Sequence, residues 1–168
     1  MRKTLLPRHA DTIHLSKIDF QRIFSVQRSP GDGNCFFHSL YSGIRVTKNQ
    51  QNENVQRAVR SSNYVFALRS IAAEEIEKNA KEYEPFLSIP IREYCRRLRG
   101  GAWGDAIVAA ALSKALQVAI YVAVVNPRNE MKYATLRLAK ADPQVKDAIF
   151  LLFSGPFDSG HYDFLKRV

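Results

Sequence analysis

Two apolar runs in the last third of the chain limit its fold more than any other feature. They are "VAIYVAVV" at 118–125 and "DAIFLLFS" at 147–154. Both have strand length, and the first is rich in β-branched residues. Neither alternates apolar with polar, as a strand with one wet face would. Such a run reads as a strand buried on both faces, so the chain has to cover both sides of a sheet. "KYATLRL" alternates and suits an outer strand. After the turn "GPFDSG", the segment "HYDFLKRV" closes the chain as a last strand.

The first two thirds supply the cover. Residues 1–25 are mixed and are expected to wrap the surface with one or two short helices. "FSVQRS" suits a brief strand. Cys35 to about Gly43 reads as a helix, with Phe36, Leu40 and Ile44 near one stripe. The polar stretch 45–54 reads as a loop. From about Asn54 to Tyr83 the pattern is helical, in two pieces broken near "RSSN", with Glu74, Glu75, Lys78 and Lys81 spaced for charge pairs along one helix. "PIREYCRRLRGG" predicts a short helix opened by Pro90 and closed by Gly100 and Gly101. "GGAWGDAIVAAALSKALQ" predicts an alanine-rich helix capped by Gly104 or Asp105. Helices first and strands last argue for an α+β fold, a sheet backed by helices.

At 168 residues the chain suits one domain, 1–168, and its 46% apolar and 24% charged residues are ordinary for a soluble protein. No apolar run approaches the ~18 residues of a membrane span. The N-terminus lacks the long apolar core of a signal peptide. Cys35 and Cys95 are the only cysteines, too few for a disulfide scaffold, so a reducing, cytoplasmic setting is expected. The histidines (His9, His14, His38, His161) are scattered, and no pair of cysteines or histidines has zinc-ligand spacing, so neither metal nor other cofactor is expected. The net charge of +9 raises nucleic acid or an anionic surface as a partner. Part of that charge is Arg92, Arg96, Arg97 and Arg99, which fall on the wet side of one amphipathic helix, and no nucleic-acid motif accompanies them.

Chemistry is concentrated in "SPGDGNCFFHS" at 29–39, where a turn-rich loop runs straight into a cysteine at the start of a helix. The first turn of a helix has free N–H groups and a positive dipole end, which favour a thiolate and suit an oxyanion hole. Gly31 and Gly33 allow positive φ and close approach of the backbone to a ligand. On this stretch alone, a nucleophile and a small buried hydrophobe stand about equal. His161 and Asp163 tip the balance. Two residues apart on a strand, they point the same way, so the carboxylate can hold the imidazole as a base-and-orienter pair does. Gly160 leaves room at the strand's entrance. His38, on the same helix as Cys35, is poorly placed to aim back at the sulfur and reads as packing or lining. His9 and His14 lie outside any motif. Cys95, with no loop, glycine or histidine beside it, reads as core.

These segments carry a family resemblance. "GDGNCFFHSL" resembles the Asp-Gly-Asn-Cys signature of the OTU (ovarian tumour) family of cysteine proteases, and "GHYDFL" its C-terminal histidine motif. "AWGDAIVAAALSKALQVAIYV" resembles its Trp-Gly helix and central strand. The blocks occur in the family's order, and the lean size is similar to that of viral and bacterial members. The resemblance implies a papain-like OTU fold, with a central, mostly antiparallel sheet flanked by helices. It implies a thiol-dependent deubiquitinase that removes ubiquitin, or a ubiquitin-like modifier, from lysines. Cys35 would be the nucleophile, His161 the general base and Asp163 its orienter. Asp32 and the following backbone, Gly33 and Asn34, would shape the oxyanion loop. Trp103 would line the channel for the modifier's Gly-Gly tail. The expected partners are ubiquitin or polyubiquitin, with no membrane and no specific nucleic acid, and the chain is expected to act as a monomer. A catalytically silent ubiquitin-binding module and a basic nucleic-acid-binding domain are the alternatives.

Overall fold

The computed structural model describes residues 12–124, 133–139, 147–155 and 160–168, and the side chains of these except 12–14 and 133–139. Strand β1 (Thr12–Ser16) leads into helix α1 (Lys17–Ile23) and strand β2 (Phe24–Gln27). Five helices follow: α2 (Cys35–Ile44), α3 (Glu53–Arg60), α4 (Tyr64–Lys78), the short α5 (Ala80–Tyr83) and, after a 3₁₀ turn at Glu84–Phe86, α6 (Ile91–Arg99). Then come α7 (Ala106–Leu116) and strands β3 (Ala119–Val124), β4 (Tyr133–Ala139), β5 (Ala148–Ser154) and β6 (His161–Arg167).

The strands form one sheet in the order β1-β4-β3-β5-β6-β2. Every pairing is antiparallel except the central β3–β5 pair, which is parallel. Ile120, Ile149, Leu151, Phe153, Tyr162 and Phe164 point to one face and join the core built by α2, α3, α4, α6 and α7. Their alternates Tyr121, Ala123, Phe150 and Leu165 point to the other face, where Phe20 and Ile23 of α1, Phe24 and Leu15 cover them. The central strands β3 and β5 are therefore buried on both sides, which is why their sequences do not alternate.

Several expectations change at the periphery. The N-terminal region contributes an edge strand, β1, ahead of its helix, while β2 at the opposite edge is the brief strand expected in "FSVQRS". β1 pairs with β4 from Thr12↔Arg137 to Ser16↔Tyr133, so β4 is the second strand of the sheet and not its margin. The polar segment after α2 is pinned: Asn49 and Asn52 donate side-chain hydrogen bonds to carbonyls of Leu116, Gln117 and Ala115 at the end of α7. The acidic residues of α4 pair across helices. Glu74 takes Arg57 of α3, Glu77 takes Arg99 of α6, and Glu75 takes Lys114 of α7. Asp105 caps α7, accepting from the N–H of Ile107 and Val108 at 2.9 Å each. Arg92, Arg96, Arg97 and Arg99 lie on the exposed side of α6, as its spacing predicts. His9, Val125 and the turn residues 156–159 lie outside the described residues, as does the His14 side chain. Among the described residues, no helix is long and apolar enough to cross a membrane.

Candidate active site

The site forms where β2 stops. β2 ends at Gln27, opposite Phe164, while β6 continues back to His161. The Tyr162 backbone is thus left without a strand on that side, and α2 takes the strand's place. The Tyr162 N–H points at Cys35 Sγ, 3.5 Å away, and Ser39 Oγ, one turn along α2, donates to Tyr162 O at 3.0 Å. Ser39 spends its proton there, so the Ser29 hydroxyl donates to Ser39 Oγ at 2.7 Å. The first and last residues of "SPGDGNCFFHS" are in this way joined beneath the cysteine.

His161 and Asp163 share a face of β6, as i and i+2 residues must. His161 Nε2 donates to Asp163 Oδ1 at 2.8 Å. Asp163 is only 1% exposed, and its Oδ1 also accepts the Ser29 N–H at 2.8 Å. A buried carboxylate needs such donors to replace the water it has lost. The Arg28 guanidinium stands 4.0 Å away on an 86% exposed side chain, a weak partner through solvent. With Nε2 occupied by Asp163, Nδ1 is the ring nitrogen left to take a proton. Gly160 lets the strand begin here, since a Cβ on it would lie 2.3 Å from the Phe153 ring and 2.6 Å from Ser154 O.

The loop before Cys35 is held at two points. Asp32 accepts the Asn34 N–H at 3.0 Å and the His38 Nε2–H at 2.9 Å. The Tyr64 hydroxyl donates to His38 Nδ1 at 2.5 Å, and burial pushes the Tyr64 pKa up, so it keeps that proton. The His38 bond, and then that of Asn34, hold the Asp32 carboxyl below its usual range. Both ring nitrogens of His38 are therefore engaged, so the ring, which packs edge-on against Tyr64, also latches the loop. Gly33 sits at φ +83°, where a side chain strains the backbone, whereas Gly31 has open space around it.

The second anchor is Arg69 of α4, only 3% exposed. It donates to Asn34 Oδ1 at 2.7 Å, to Leu98 O at 2.8 Å and to Ala102 O at 2.6 Å. Its guanidinium carbon lies 4.3 Å over the Phe37 ring. Asn34 is the N-cap of α2, yet its side chain makes no capping bond. The first intrahelical bond runs from His38 N to Asn34 O, so the N–H groups of Cys35, Phe36 and Phe37 have no partner within α2. Trp103 is half-buried against the histidine strand, 5.5 Å from the Tyr162 ring and 5.9 Å from that of Phe153.

A thiol beside an imidazole–carboxylate pair, at a helix start with open N–H groups, can carry out acyl transfer through a thioester. Comparison with known proteins points the same way. The OTU-like cysteine protease family matches residues 30–162. The chain belongs to that family. It is 28% identical over 144 residues to the RNA-directed RNA polymerase L of Crimean-Congo hemorrhagic fever virus, covering 85% of this chain and 3% of that one. It is 30% identical over 101 residues to the ubiquitin thioesterase otu2 of Schizosaccharomyces pombe, covering 55% of this chain and 30% of that one. The chain thus spans less than a third of either curated relative's length. The Hazara virus OTU bound to ubiquitin superposes with a TM-score of 0.65 at 23% identity, over 98% of this chain and 95% of that one.

The structure of this OTU-family chain gathers Cys35, His161 and Asp163 around the start of β6. Asp32, Gly33 and Asn34 form the loop that enters α2, and Trp103 stands against Tyr162 on the far side. Cys95 is buried, its Sγ 3.7 Å from Ala73 O, and burial raises its pKa to about 11, which leaves an inert thiol. Sequence reasoning missed Ser29, Ser39 and Arg69. Arg69 left a faint signal: an arginine among Ala67, Leu68, Ile71 and Ala72 on a helix with no wet face at that point.

Proposed function

We propose that the chain is a thiol-dependent isopeptidase that removes ubiquitin, or a ubiquitin-like modifier, from substrate lysines. The observation that carries this reading is the His161–Asp163 pair on β6, adjoining the Tyr162 N–H that touches Cys35 Sγ. Its family membership supports the reaction class. The names of its relatives, a ubiquitin thioesterase and an OTU domain bound to ubiquitin, support the substrate.

Cys35 Sγ attacks the carbonyl carbon after the modifier's last glycine, and its proton passes to His161 Nδ1. The carbonyl oxygen becomes an oxyanion, held by the open N–H groups at the start of α2 and in the loop before it. The tetrahedral intermediate collapses to a thioester as His161 gives the proton to the departing lysine amine. Water then attacks the thioester, with His161 taking its proton and returning it to the sulfur. Asp163 holds the ring in the orientation and tautomer these transfers need. The chain acts as a monomer in a reducing, cytoplasmic compartment, where the Cys35 thiol persists.

A ubiquitin probe carrying a C-terminal electrophile tests the reading. One probe is expected to add per chain, at Cys35, and none to Cys35→Ala. His161→Ala is expected to lower kcat on a fluorogenic ubiquitin substrate by about 10²–10⁴-fold, the range for loss of a general acid–base. No adduct on the folded parent chain overturns the isopeptidase reading; ubiquitin capture without cleavage would instead identify a silent binding module. Linkage-defined di-ubiquitins then read the chain preference.

A further inference from the structure

Arg69 is a cation buried on α4, and among the described residues no carboxylate forms an ion pair with it. Burying a charge in this way is costly unless its donors are satisfied. Three acceptors satisfy them, one from each of three segments: Leu98 O at the end of α6, Ala102 O in the turn that carries Trp103, and Asn34 Oδ1 beside the nucleophile. The first two are backbone atoms, as expected of an arginine that merely ties a helix end to a turn. The third is a side chain with another use open to it.

An asparagine at an N-cap ordinarily turns its Oδ1 onto the N–H of the second or third helical residue. Four other polar N-caps in this protein do so. Ser16 accepts from Asp19, Asn52 from Asn54 and Val55, Asn63 from Phe66, and Asp105 from Ile107 and Val108. Asn34 and Asn79, the N-cap of the short α5, do not; both have ψ far closer to zero than the capping residues, 16° and 43°, and the Asn34 Oδ1 is bonded to Arg69.

We propose that Arg69 is a positioning residue that holds the Asn34 side chain off the first turn of α2, keeping the N–H groups of that turn open to the oxyanion. The proposal rests on the isopeptidase reading. Without the guanidinium, Oδ1 loses its partner, and as the Asn34 ψ turns from 16° toward the range of the capping residues it falls back onto the Phe36 or Phe37 N–H. The cap then occupies donors that the reaction needs. The oxyanion exists only in the tetrahedral states, so the loss appears in kcat and leaves KM nearly unchanged.

The test compares the full chain with Arg69→Met, Asn34→Ala and the double variant. The readouts are kcat and KM on a fluorogenic ubiquitin substrate, the rate of Cys35 carbamidomethylation at fixed pH, and the urea midpoint. Arg69→Met is expected to lower kcat about tenfold or more, somewhat less than the 10²–10³-fold cost of deleting a donor outright. KM is expected to stay within about threefold. In the double variant no side chain remains to cap the turn, so kcat is expected to recover at least about threefold over Arg69→Met, although its urea midpoint is no higher. A merely structural arginine gives the opposite result, with a second truncation deepening the loss. The proposal is overturned if folded Arg69→Met keeps kcat within about twofold, or if Asn34→Ala in that background restores nothing.

If Arg69→Met does not fold, Arg69→Lys takes its place, since an ammonium can serve the two carbonyls but falls short of Asn34. The alkylation rate separates the two readings. Open first-turn N–H groups favour the thiolate whatever the substrate. A parent chain that ignores ubiquitin sinks the isopeptidase reading. Cys35 alkylation must still slow in Arg69→Met and recover in the double variant, and equal rates in all chains sink the proposal for Arg69.

Discussion

Ser39 is buried completely, and both its bonds are to residues far away in sequence or across the loop: it donates to Tyr162 O and accepts from Ser29 Oγ. Ser39→Ala strands a buried carbonyl on β6 and a hydroxyl in the loop. A buried group left unsatisfied costs about 1–3 kcal/mol. Urea unfolding should show that loss for Ser39→Ala and less than about 1 kcal/mol for Ser29→Ala, whose hydroxyl can turn to water. Equal effects would mean that the pair does not hold the site as described. Cys35, His161 and Asp163 were legible because each announces itself locally: a thiol at a loop-to-helix junction, and a histidine and carboxylate two apart on a strand. Ser39 and Arg69 were illegible because their partners depend on where β2 ends and on how α4 lies against α6. A serine on an apolar helix and an arginine among alanines carry no such information in themselves.

The loop before α2 is the element on which the oxyanion geometry depends, and its two glycines differ. Gly33 needs positive φ, while Gly31 has room for a Cβ and no positive φ. Gly33→Ala is expected to destabilise the chain by about 1–2 kcal/mol, the cost of a side chain in the left-handed region. Gly31→Ala should stay within about 0.5 kcal/mol of the parent. Thermal or urea unfolding of the two variants side by side checks this, and a reversed order would contradict the loop conformation. Elements with strong local patterns were read correctly from sequence: the capped α7, the break between α3 and α4, and the doubly buried β3 and β5. β1 was missed because five residues make too short a pattern, and its strand state comes from pairing with β4. That same pairing moved β4 inward from the margin of the sheet. Strand order is a long-range property, and alternation in one segment cannot show which neighbour covers it.

Across the whole molecule, burial of titratable groups sets how stability responds to alkali. Cys95, Tyr83 and Tyr162 are buried and Tyr94 half-buried, and in each burial is the largest cause of a raised pKa. Each group stays protonated in the folded chain at a pH where it has ionised in the unfolded one. The folded state therefore binds more protons above that pH, and stability falls as pH rises. The stability these groups contribute is fully present below their unfolded values, 9.0 for the thiol and 10.0 for the tyrosines. Each proton retained on folding steepens the loss by about 1.4 kcal/mol per pH unit. Cys95 titrates first, between its unfolded value of 9.0 and about 11 in the folded chain, and the tyrosines add to it above pH 10.0. Urea midpoints measured from about pH 8 to 10.5 should be flat at first, begin to fall near pH 9 and then drop more steeply. Cys95→Ala should be less stable throughout, because it leaves a small cavity, yet its slope between about pH 9 and 10 should be shallower by roughly one proton. If the two chains fall in parallel over that interval, Cys95 is not the group that begins the alkaline loss.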